Sequence, residues 1–396
     1  MSTVLQRSAT MDKKKIALVF WPKVGNQHLH LVGIRQYAVG FSHWVWKGFS
    51  PLNSAISLIR AWQPDGIIGM LETPELARAC NRLGVPAVDI GDRLEHQPCV
   101  QICVDHRKVG EMAANYFLER RFRNFAFCGV KGTHFSQARH DSFVKILREA
   151  DMQCPAAWFT MGAGVPQTTV AWSQPDPKLA RWLAKLSKPL ALFVSNDQLA
   201  LTVLSTCSEV NIRVPDDVAV LGVDDDELMC TMANPSLSSI PFPAKRVGYE
   251  AAAVLEAMMN GEAAPDEPVV LPPLPIVVRA STERLMVSDP DVMQAMALIR
   301  ANIGRRFRIA DIAENLGVTR RTLERKFRRE LCSGIQDVVR RSRVEHARTL
   351  LRETDMTLCA IAAKCGFVNR SFMGVVFRRY TGLSPAAYRR HLRAVQ

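Results

Sequence analysis

The sequence predicts a two-lobed α/β domain of doubly wound parallel sheets, followed by an all-α domain with tandem helix-turn-helix units. From Lys15 to about Ile276, short apolar runs alternate with segments of helical periodicity. From Asp291 onward only helical segments remain, and this region contains an internal repeat. The chain has 396 residues, which is enough for two or three domains of roughly 100–200 residues each.

Seven apolar runs in the first part are predicted to be buried strands, at residues 15–21, 66–70, 86–90, 100–104, 125–130, 190–194 and 218–223. The runs are continuous, as expected for parallel strands that are covered by helices on both faces. Eight segments with helical spacing lie between or after them, at residues 29–39, 53–62, 74–83, 107–120, 137–149, 176–186, 197–209 and 244–260. Their alternation with strands predicts two lobes around a cleft, with chain crossings near residues 123–125 and 236–243.

The domain boundaries follow from where these patterns change. We expect a disordered N-terminus at residues 1–14, the α/β domain at 15–278, a linker at 279–290 and the helical domain at 291–396. The linker is polar and ends in Asp-Pro, which breaks both patterns. Seven helices are predicted after it, at residues 291–302, 309–316, 320–330, 335–351, 358–364, 370–380 and 384–394.

The helical domain repeats itself, because residues 309–332 are echoed by residues 358–382. Each copy predicts a helix, a turn containing glycine and a second, basic helix, which is the helix-turn-helix pattern. Gly317 and Gly366 stand where the first helix must end in a left-handed residue, a conformation that glycine adopts at little cost. Thr319 is a natural N-cap for the second helix of the first copy.

The positive charge of the chain is concentrated in the helical domain. The net charge is +13, and residues 289–396 hold 22 Lys and Arg against 10 Asp and Glu, whereas residues 1–288 hold 29 against 28. Almost all cations of the basic region are arginine, which pairs bidentately with phosphate and with guanine. A nearly neutral domain joined to a basic one suggests a sensor joined to a nucleic-acid-binding domain.

Several other classes of protein are disfavoured. No apolar run reaches the roughly 18–20 residues of a membrane span, and the polar N-terminus is unlike a signal peptide, so we expect a cytoplasmic protein. Ten cysteines without a CxxC pair predict buried, reduced thiols. No nucleotide-binding, nucleophile-elbow or metal motif is present, so no catalysis and no cofactor are expected. His28 and His30 point apart on a predicted helix, so no metal site is predicted.

The repeat resembles the AraC-type DNA-binding domain, on the landmarks Gly366, Phe367, Phe377, Gly382, Pro385, Tyr388 and Arg389. The sequence departs from that family at Cys332, Met373 and Val375, so the second unit is expected to read DNA less strongly than the first. A recognition helix presents its first residues and one exposed face to the major groove. The candidate DNA contacts are Arg320, Arg321, Thr322, Arg325 and Arg329 in the first unit, and Asn369, Arg370, Ser371 and Arg378 in the second. For Arg329 and Arg378 phosphate contact is favoured over base contact, whereas for Arg320, Arg321, Arg325 and Arg370 base contact is favoured and phosphate contact is the alternative.

The α/β domain resembles the periplasmic-binding-protein-like sensor of lactose-repressor type. The resemblance rests on residues 103–129, 138–143, 192–201, 218–228 and 231–262. That sensor followed by an AraC-type domain resembles the bacterial xylose operon regulatory protein family over essentially the whole chain. The resemblance implies a sugar ligand, with D-xylose as the best candidate.

Ligands of open α/β sheets bind beyond the carboxyl ends of the strands. Residues just past the predicted strands form a polar rim of Trp21, Glu72, Asp105, Ser195, Asn196, Asp197, Asp224, Asp225 and Asp226. Carboxylates on such a rim can accept hydrogen bonds from sugar hydroxyls. The resemblance implies sugar contacts at Arg139, Asn196, Asp224 and Asp105. Trp21, Trp172 and Phe135 are candidates to stack on the sugar, and Asp197 is a further candidate that could equally begin a helix.

We therefore expect a sugar-responsive transcription regulator that binds operator DNA as a homodimer and acts on RNA polymerase. Activation is favoured because AraC-type domains usually recruit polymerase. The alternatives are a repressor that responds to another sugar, and a sugar-binding or transport protein that does not bind DNA.

Overall fold

The computed structural model describes residues 13–20, 27–39, 43–94, 98–159, 174–283, 289–305, 307–331, 333–381 and 383–395. The chain divides into two compact units, Met1–Arg284 and Leu285–Gln396. This division lies inside the predicted linker. Residues 280–282, however, form a 3₁₀ turn in the first unit, where Ser281 and Thr282 are fully buried. The start of the predicted linker therefore belongs to the sensor, because its backbone is hydrogen-bonded there: the Ser281 N–H donates to the Ser236 carbonyl.

The first unit contains two parallel sheets, one in each lobe. The strands of the first lobe are β1 (Lys14–Val19), β2 (Trp44–Phe49), β3 (Gly66–Gly69), β4 (Ala87–Asp89), β5 (Val100–Val104) and, late in the chain, β11 (Val269–Leu271), in the spatial order β11-β5-β4-β3-β1-β2. The strands of the second lobe are β6 (Asn124–Val130), β7 (Ala156–Phe159), β8 (Leu190–Val194), β9 (Val218–Asp224) and β10 (Ser238–Pro241), in the order β10-β9-β8-β6-β7.

The seven predicted strands are confirmed, and they are the interior strands of the two sheets. The sequence missed β2, β7, β10 and β11, which are the edges of the described sheets. An edge strand is covered less fully, so its sequence need not be continuously apolar. Thus Val45 and Trp46 of β2 are exposed, and β10 begins with two serines. Interior strands are therefore the ones that hydrophobic runs reveal.

Within the described residues, nine helices cover these sheets: α1 (Gln27–Ala38), α2 (Ala55–Trp62), α3 (Pro74–Asn81), α4 (His106–Glu119), α5 (His134–Glu149), α6 (Pro177–Ala184), α7 (Asp197–Glu209), α8 (Glu227–Met232) and α9 (Ala244–Met259). The sequence missed only the short α8 among these described helices. Helices α1 and α9 pack closely where Gly248 faces the backbone of His30; a Cβ on Gly248 would lie 2.1 Å from the His30 carbonyl oxygen. Among the described helices, none is long and apolar enough to span a membrane.

The chain crosses between the lobes at three places. The first crossing is at Asp105, between β5 and α4, so the prediction near residues 123–125 is wrong. Helix α4 already packs against α5 in the second lobe, where Gly110 lies so close that a Cβ would meet Ser142 Oγ at 2.0 Å. The second crossing, between β10 and α9, lies in the predicted range 236–243. The third follows β11 and returns the chain to Val277, which bridges to Ser239.

The second unit contains the seven predicted helices: α10 (Pro290–Ala301), α11 (Ile309–Asn315), α12 (Arg320–Leu331), α13 (Ile335–Glu353), α14 (Leu358–Lys364), α15 (Arg370–Thr381) and α16 (Pro385–Val395). They form two small cores that share α13. Val338 and Val339 belong to the first core, and Val344, Ala347 and Leu351 belong to the second. Each helix-turn-helix unit therefore has its own core, and α13 connects the two.

Candidate functional site

A cleft of about 180 Å³ lies between the lobes of the first unit, beyond the carboxyl ends of the strands. It is lined from the first lobe by Gln27, His30, Met70, Glu72, Ile90, Gly91, Asp92 and Arg93. The second lobe and the crossing before α9 contribute His106, Phe135, Arg139, Asn196, Asp197, Gln198, Asp224, Asp226, Met229 and Phe242. Its volume lies below the roughly 300–1,000 Å³ of pockets for drug-sized ligands, so the cleft suits a smaller molecule, and charged and amide side chains dominate its polar lining.

Arg139, a predicted ligand contact, is held in the wall of this cleft by α5. Its side chain is almost fully buried; Nη1 donates to the Ser195 carbonyl and Nε donates to His106 Nδ1 at 3.3 Å. Burial lowers the pKa of Arg139, and the carboxylates of Asp224 and Asp92 oppose that shift. The arginine is therefore a fixed donor that faces a cleft rich in acceptors.

Asp224, also predicted, is the last residue of β9 and opens a loop with unusual backbone geometry. The φ angles of Asp224 and Asp225 are 111° and 49°, and non-glycine residues rarely adopt such values. The loop is held from both sides: Ser239 Oγ accepts from the Asp225 N–H at 3.0 Å, and Asp225 forms a 2.7 Å ion pair with Arg279. Burial raises the pKa of Asp224 to about 6, although Arg139 opposes the shift. The packing thus holds this carboxyl group in place beside the cleft.

Asn196 and Asp197 begin α7 with different roles. Asn196 is the N-cap, and its Oδ1 accepts the Leu199 N–H at 2.9 Å, which leaves the amide group to line the cleft. Both carboxylate oxygens of Asp197 are already engaged. They accept from the Asp226 N–H at 2.9 Å and from Ser239 Oγ at 2.6 Å. Asp197 therefore organises the loop after β9, although it also borders the cavity.

The remaining predicted contacts differ in where the structure places them. Phe135 lines the cleft, and the Arg139 guanidinium lies 5.0 Å from its ring centroid. Asp105 does not line it; its Oδ1 caps α4 by accepting the Lys108 N–H at 2.9 Å. A helix cap can also face a ligand, as Asn196 does, so the sugar contact of Asp105 stays a prediction. Trp21 and Trp172 lie outside the described residues.

The sequence analysis missed a contact that joins the lobes across the cleft. The carboxylate of Asp92, after β4, is hydrogen-bonded to Nε2 of His106 in the first turn of α4. Burial raises the pKa of Asp92 to about 7 and lowers that of His106. Asp92 follows a predicted strand by two residues, so the rule that selected Asp224 could have found it. His106 gave no such signal, because it comes after a crossing that was misplaced.

His30 is a second missed residue. It lies on α1 with 3% of its surface exposed, lines the cleft, and packs near the rings of Phe20 and Phe242. Neither ring nitrogen forms a hydrogen bond within the described part of the chain. Burial lowers the pKa of His30 to about 4, although the nearby backbone of Gln27 favours the charged form. Even with the Gln27 backbone nearby, at least one nitrogen of this neutral imidazole remains available to a ligand.

The second unit presents the predicted recognition helices α12 and α15. Arg321, Arg325, Arg370 and Arg378 are exposed and form no ion pair with a described residue. Two of the candidates are engaged elsewhere, since Arg320 Nε donates to Glu324 at 2.9 Å and Arg329 Nη2 donates to Asp289 at 2.8 Å.

Three further candidates lie around the helix N-termini. Asn369 caps α15 through the Phe372 N–H, Thr322 Oγ1 lies 2.9 Å from Thr319 Oγ1, and Ser371 is exposed. Arg389, a landmark of the resemblance, donates to the carbonyls of Thr354 and Met356, so it has a structural role.

Comparison with known proteins agrees with both units. Residues 114–282 match the periplasmic binding protein-like domain, and residues 312–391 match the helix-turn-helix domain. The xylose operon regulatory protein of Haemophilus influenzae is 27% identical over 386 residues, which cover 95% of this chain and 98% of the relative. The protein of the same name from Escherichia coli K12 is 25% identical over 95% of this chain and 97% of its own length.

Solved structures show the same architecture. A structure described as the xylose-binding transcription activator XylR superposes with a TM-score of 0.68 and 24% identity, covering 96% of this chain and 99% of that one. A LacI family regulator from Enterococcus faecium with bound ribose covers 68% of this chain and 98% of its own, with a TM-score of 0.56 and 17% identity. The relatives are transcription regulators, so this chain is a regulator rather than an enzyme. Over 95% of its length this chain is similar to the xylose operon regulatory proteins, and it joins a periplasmic binding protein-like sensor to a helix-turn-helix domain, the organisation of a sugar-responsive transcription regulator.

Proposed function

We propose that this protein activates transcription of pentose catabolic genes when D-xylose binds in the cleft between the sensor lobes. The observation that carries the proposal is that the buried donor Arg139 and the acceptor Asp224 line the same polar cleft. The names of the full-length relatives support xylose as the sugar and, for the solved structure, activation as the response.

The lining of the cleft suits a polyhydroxylated ligand. Asp224 and Glu72 can accept hydrogen bonds from hydroxyl groups, whereas Arg139 and the amide of Asn196 can donate them. The ring of Phe135 offers an apolar surface to the C–H groups of a sugar. In this proposal the neutral imidazole of His30 donates to one hydroxyl and accepts from another, which satisfies both of its nitrogens.

Closure of the two lobes around the sugar is the proposed response. The Asp92–His106 bond joins the lobes, as does the backbone bond from the His134 N–H to the Arg93 carbonyl at 2.9 Å. A ligand that contacts both lobes stabilises this closed arrangement by its differential affinity for it.

The signal leaves the sensor through the loop after β9. Arg279 pairs with Asp225, the neighbour of Asp224, and its Nη1 also donates to the Leu237 carbonyl at 2.9 Å. The chain continues from Arg279 through the buried residues Ser281 and Thr282 and enters the second unit after Arg284. We propose that a sugar bound at Asp224 fixes this exit segment and thereby biases the placement of the DNA-binding domains. A homodimer would then present four recognition helices to the operator, and the bound domains would recruit RNA polymerase.

Calorimetry of the full chain against a panel of pentoses and hexoses, with and without operator DNA, tests the proposal. We expect D-xylose to bind most tightly, and operator DNA to tighten its binding by the same factor by which xylose tightens operator binding. Equal sugar affinities with and without operator would contradict the coupling. If another sugar binds most tightly, that sugar rather than D-xylose is the ligand, and the proposed role of the first unit as a sugar sensor is unaffected. Transcription in vitro then separates activation from repression, since an activator raises transcript yield only when its sugar is present.

A further inference from the structure

The two recognition helices can be compared position by position, because their N-caps fix a common register. The Thr319 hydroxyl accepts the N–H of Thr322 at 3.1 Å, and the Asn369 side chain accepts the N–H of Phe372 at 2.8 Å. Both bonds therefore join a cap to the third residue after it. The corresponding inward side chains, Leu323 with Met373 and Phe327 with Phe377, are all fully buried. Residues of α12 and α15 thus correspond at an offset of 50.

The exposed faces of the two helices carry different chemistry at corresponding positions. The second and sixth residues after the cap are Arg321 and Arg325 in α12, but Ser371 and Val375 in α15. Val375 is 69% exposed, and Phe372, which corresponds to Thr322, is 41% exposed. The first helix therefore presents two guanidinium groups where the second presents a hydroxyl and an apolar surface.

The apolar surface of α15 is surrounded by cations. Arg370, Arg378 and Arg379 are exposed and form no ion pairs among the described residues. These arginines complement phosphate, so the surface suits a polyanion with an apolar group at its centre. In the major groove of DNA that apolar group is the C5 methyl of thymine, whereas the groups suited to bidentate arginine are O6 and N7 of guanine.

We propose that the two units of this domain read different bases. Arg321 and Arg325 of α12 contact guanine in one element of the operator, and Val375 and Phe372 of α15 contact thymine methyl groups in the other. The operator is therefore a pair of unequal elements rather than a repeat of one. This inference depends on the DNA-binding domain alone, so the identity of the sugar does not affect it.

Selection of binding sites from a random-sequence duplex library tests the assignment with the full chain, in the presence and absence of D-xylose. We expect one selected element rich in guanine and a neighbouring element rich in thymine. Arg325→Val should abolish the preference for guanine at one position of the first element, with a loss of about 10- to 100-fold in affinity for the wild-type site. Val375→Arg should introduce guanine into the second element only. Selection of two identical elements would overturn the proposal. It would also be overturned if the sequence selected in the second element were the same for Val375→Arg as for the wild type.

Replacement of thymine by deoxyuridine in the selected site tests the methyl contact directly, because it removes only the C5 methyl. We expect a loss of about fourfold in affinity per contacted methyl in the second element. The same replacement in the first element should have no effect, and Val375→Ser should abolish the difference between thymine and deoxyuridine at the position that Val375 contacts, while the position contacted by Phe372 keeps its difference. The side chains of Arg325 and Val375 are both exposed, so their replacement should leave the fold intact. Circular dichroism of each variant checks this. Equal affinity for thymine and deoxyuridine in the second element would contradict the contact.

Discussion

The two lobes contribute to the cleft in different ways. In the second lobe, the side chains that face the cleft are fixed by the protein itself: Arg139 is bonded to the Ser195 carbonyl, Asn196 caps α7, and the Asp224 loop is held by Asp197 and Arg279. In the first lobe, His30 has both ring nitrogens without a partner among the described residues. Glu72 of the first lobe is also held, by Arg93 at 3.3 Å, and Ser195 Oγ of the second lobe has no partner among the described residues. The contrast is therefore between the held side chains of the second lobe and His30, and we expect the former to provide most of the affinity and His30 to contribute selectivity.

Asp224→Asn gives the largest expected effect and tests the second lobe. Asparagine keeps the shape of the side chain and tolerates a positive φ. It removes the negative charge that strengthens the hydrogen bonds accepted from sugar hydroxyl groups. We expect sugar affinity to fall at least 100-fold in calorimetry, with binding of the second unit to DNA preserved. The matched control is Asp217→Asn, which changes a surface aspartate paired with exposed Arg213. A fall of less than threefold would show that the second lobe does not dominate affinity.

Each lobe also contains one buried aspartate that ties loops together, Asp89 in the first and Asp197 in the second. Asp89 Oδ1 accepts the N–H groups of Leu71 and Gly91 at 2.8 and 3.0 Å, and burial raises its pKa to about 6. The raised pKa means that the folded state binds this proton more tightly than the unfolded state. Protonated Asp89 therefore contributes roughly 2–3 kcal/mol to the free energy of unfolding. This contribution is fully present below about pH 4 and is lost as the pH rises through about 6.

Urea unfolding of Asp89→Asn and the wild type between pH 4 and 7 measures this contribution. Asparagine retains Oδ1 as the acceptor but does not titrate, so the variant should lose less stability than the wild type as the pH rises. Asp141→Asn serves as the control, because the Asp141 side chain is 61% exposed. Parallel pH profiles for the wild type and Asp89→Asn would contradict the prediction.

His30→Leu tests the first lobe and should have opposite effects on binding and on folding. Loss of the donor and the acceptor should weaken sugar binding about tenfold and reduce discrimination between sugars. Removal of a buried group without partners should raise the free energy of unfolding of the sugar-free protein by about 1 kcal/mol. The matched control is His28→Leu, two residues away on the exposed side of α1. A variant that binds sugar as tightly as the wild type would exclude His30 from the site.

The smallest expected effect is on the coupling between sugar binding in the cleft and DNA binding by the second unit. Asp225→Asn removes the charge that pairs with Arg279 but keeps a residue that tolerates the φ of 49°. We expect the ratio of sugar affinities with and without operator to fall severalfold, with a smaller change in affinity for the sugar alone. Asp217→Asn again provides the control for a surface pair in the same lobe. An unchanged ratio would show that the signal leaves the sensor by another path.

The sequence by itself determined the interior of each sheet, the seven helices of the second unit and the candidate ligand residues that follow strands. These features depend on local periodicity or on residues adjacent in the chain, and both are visible in one dimension. Asn196 and Asp224 were found in this way, Arg139 was identified through the resemblance to the sensor family, and all three line the cleft. The edge strands escaped detection because β2 and β10 contain polar residues, and β7 and β11 are apolar runs of only 4 and 3 residues.

Only the tertiary structure decided which polar groups were already satisfied. Asp105 and Asp197 follow strands as Asp224 does, yet one caps a helix and the other ties a loop. His30 and His106 became part of the cleft because α1 and α4 approach it from opposite lobes. Asp289 similarly engages Arg329, a candidate DNA contact, from a position 40 residues away in the chain. Whether a side chain is free for a ligand depends on partners that are distant in sequence, and folding alone brings those partners together.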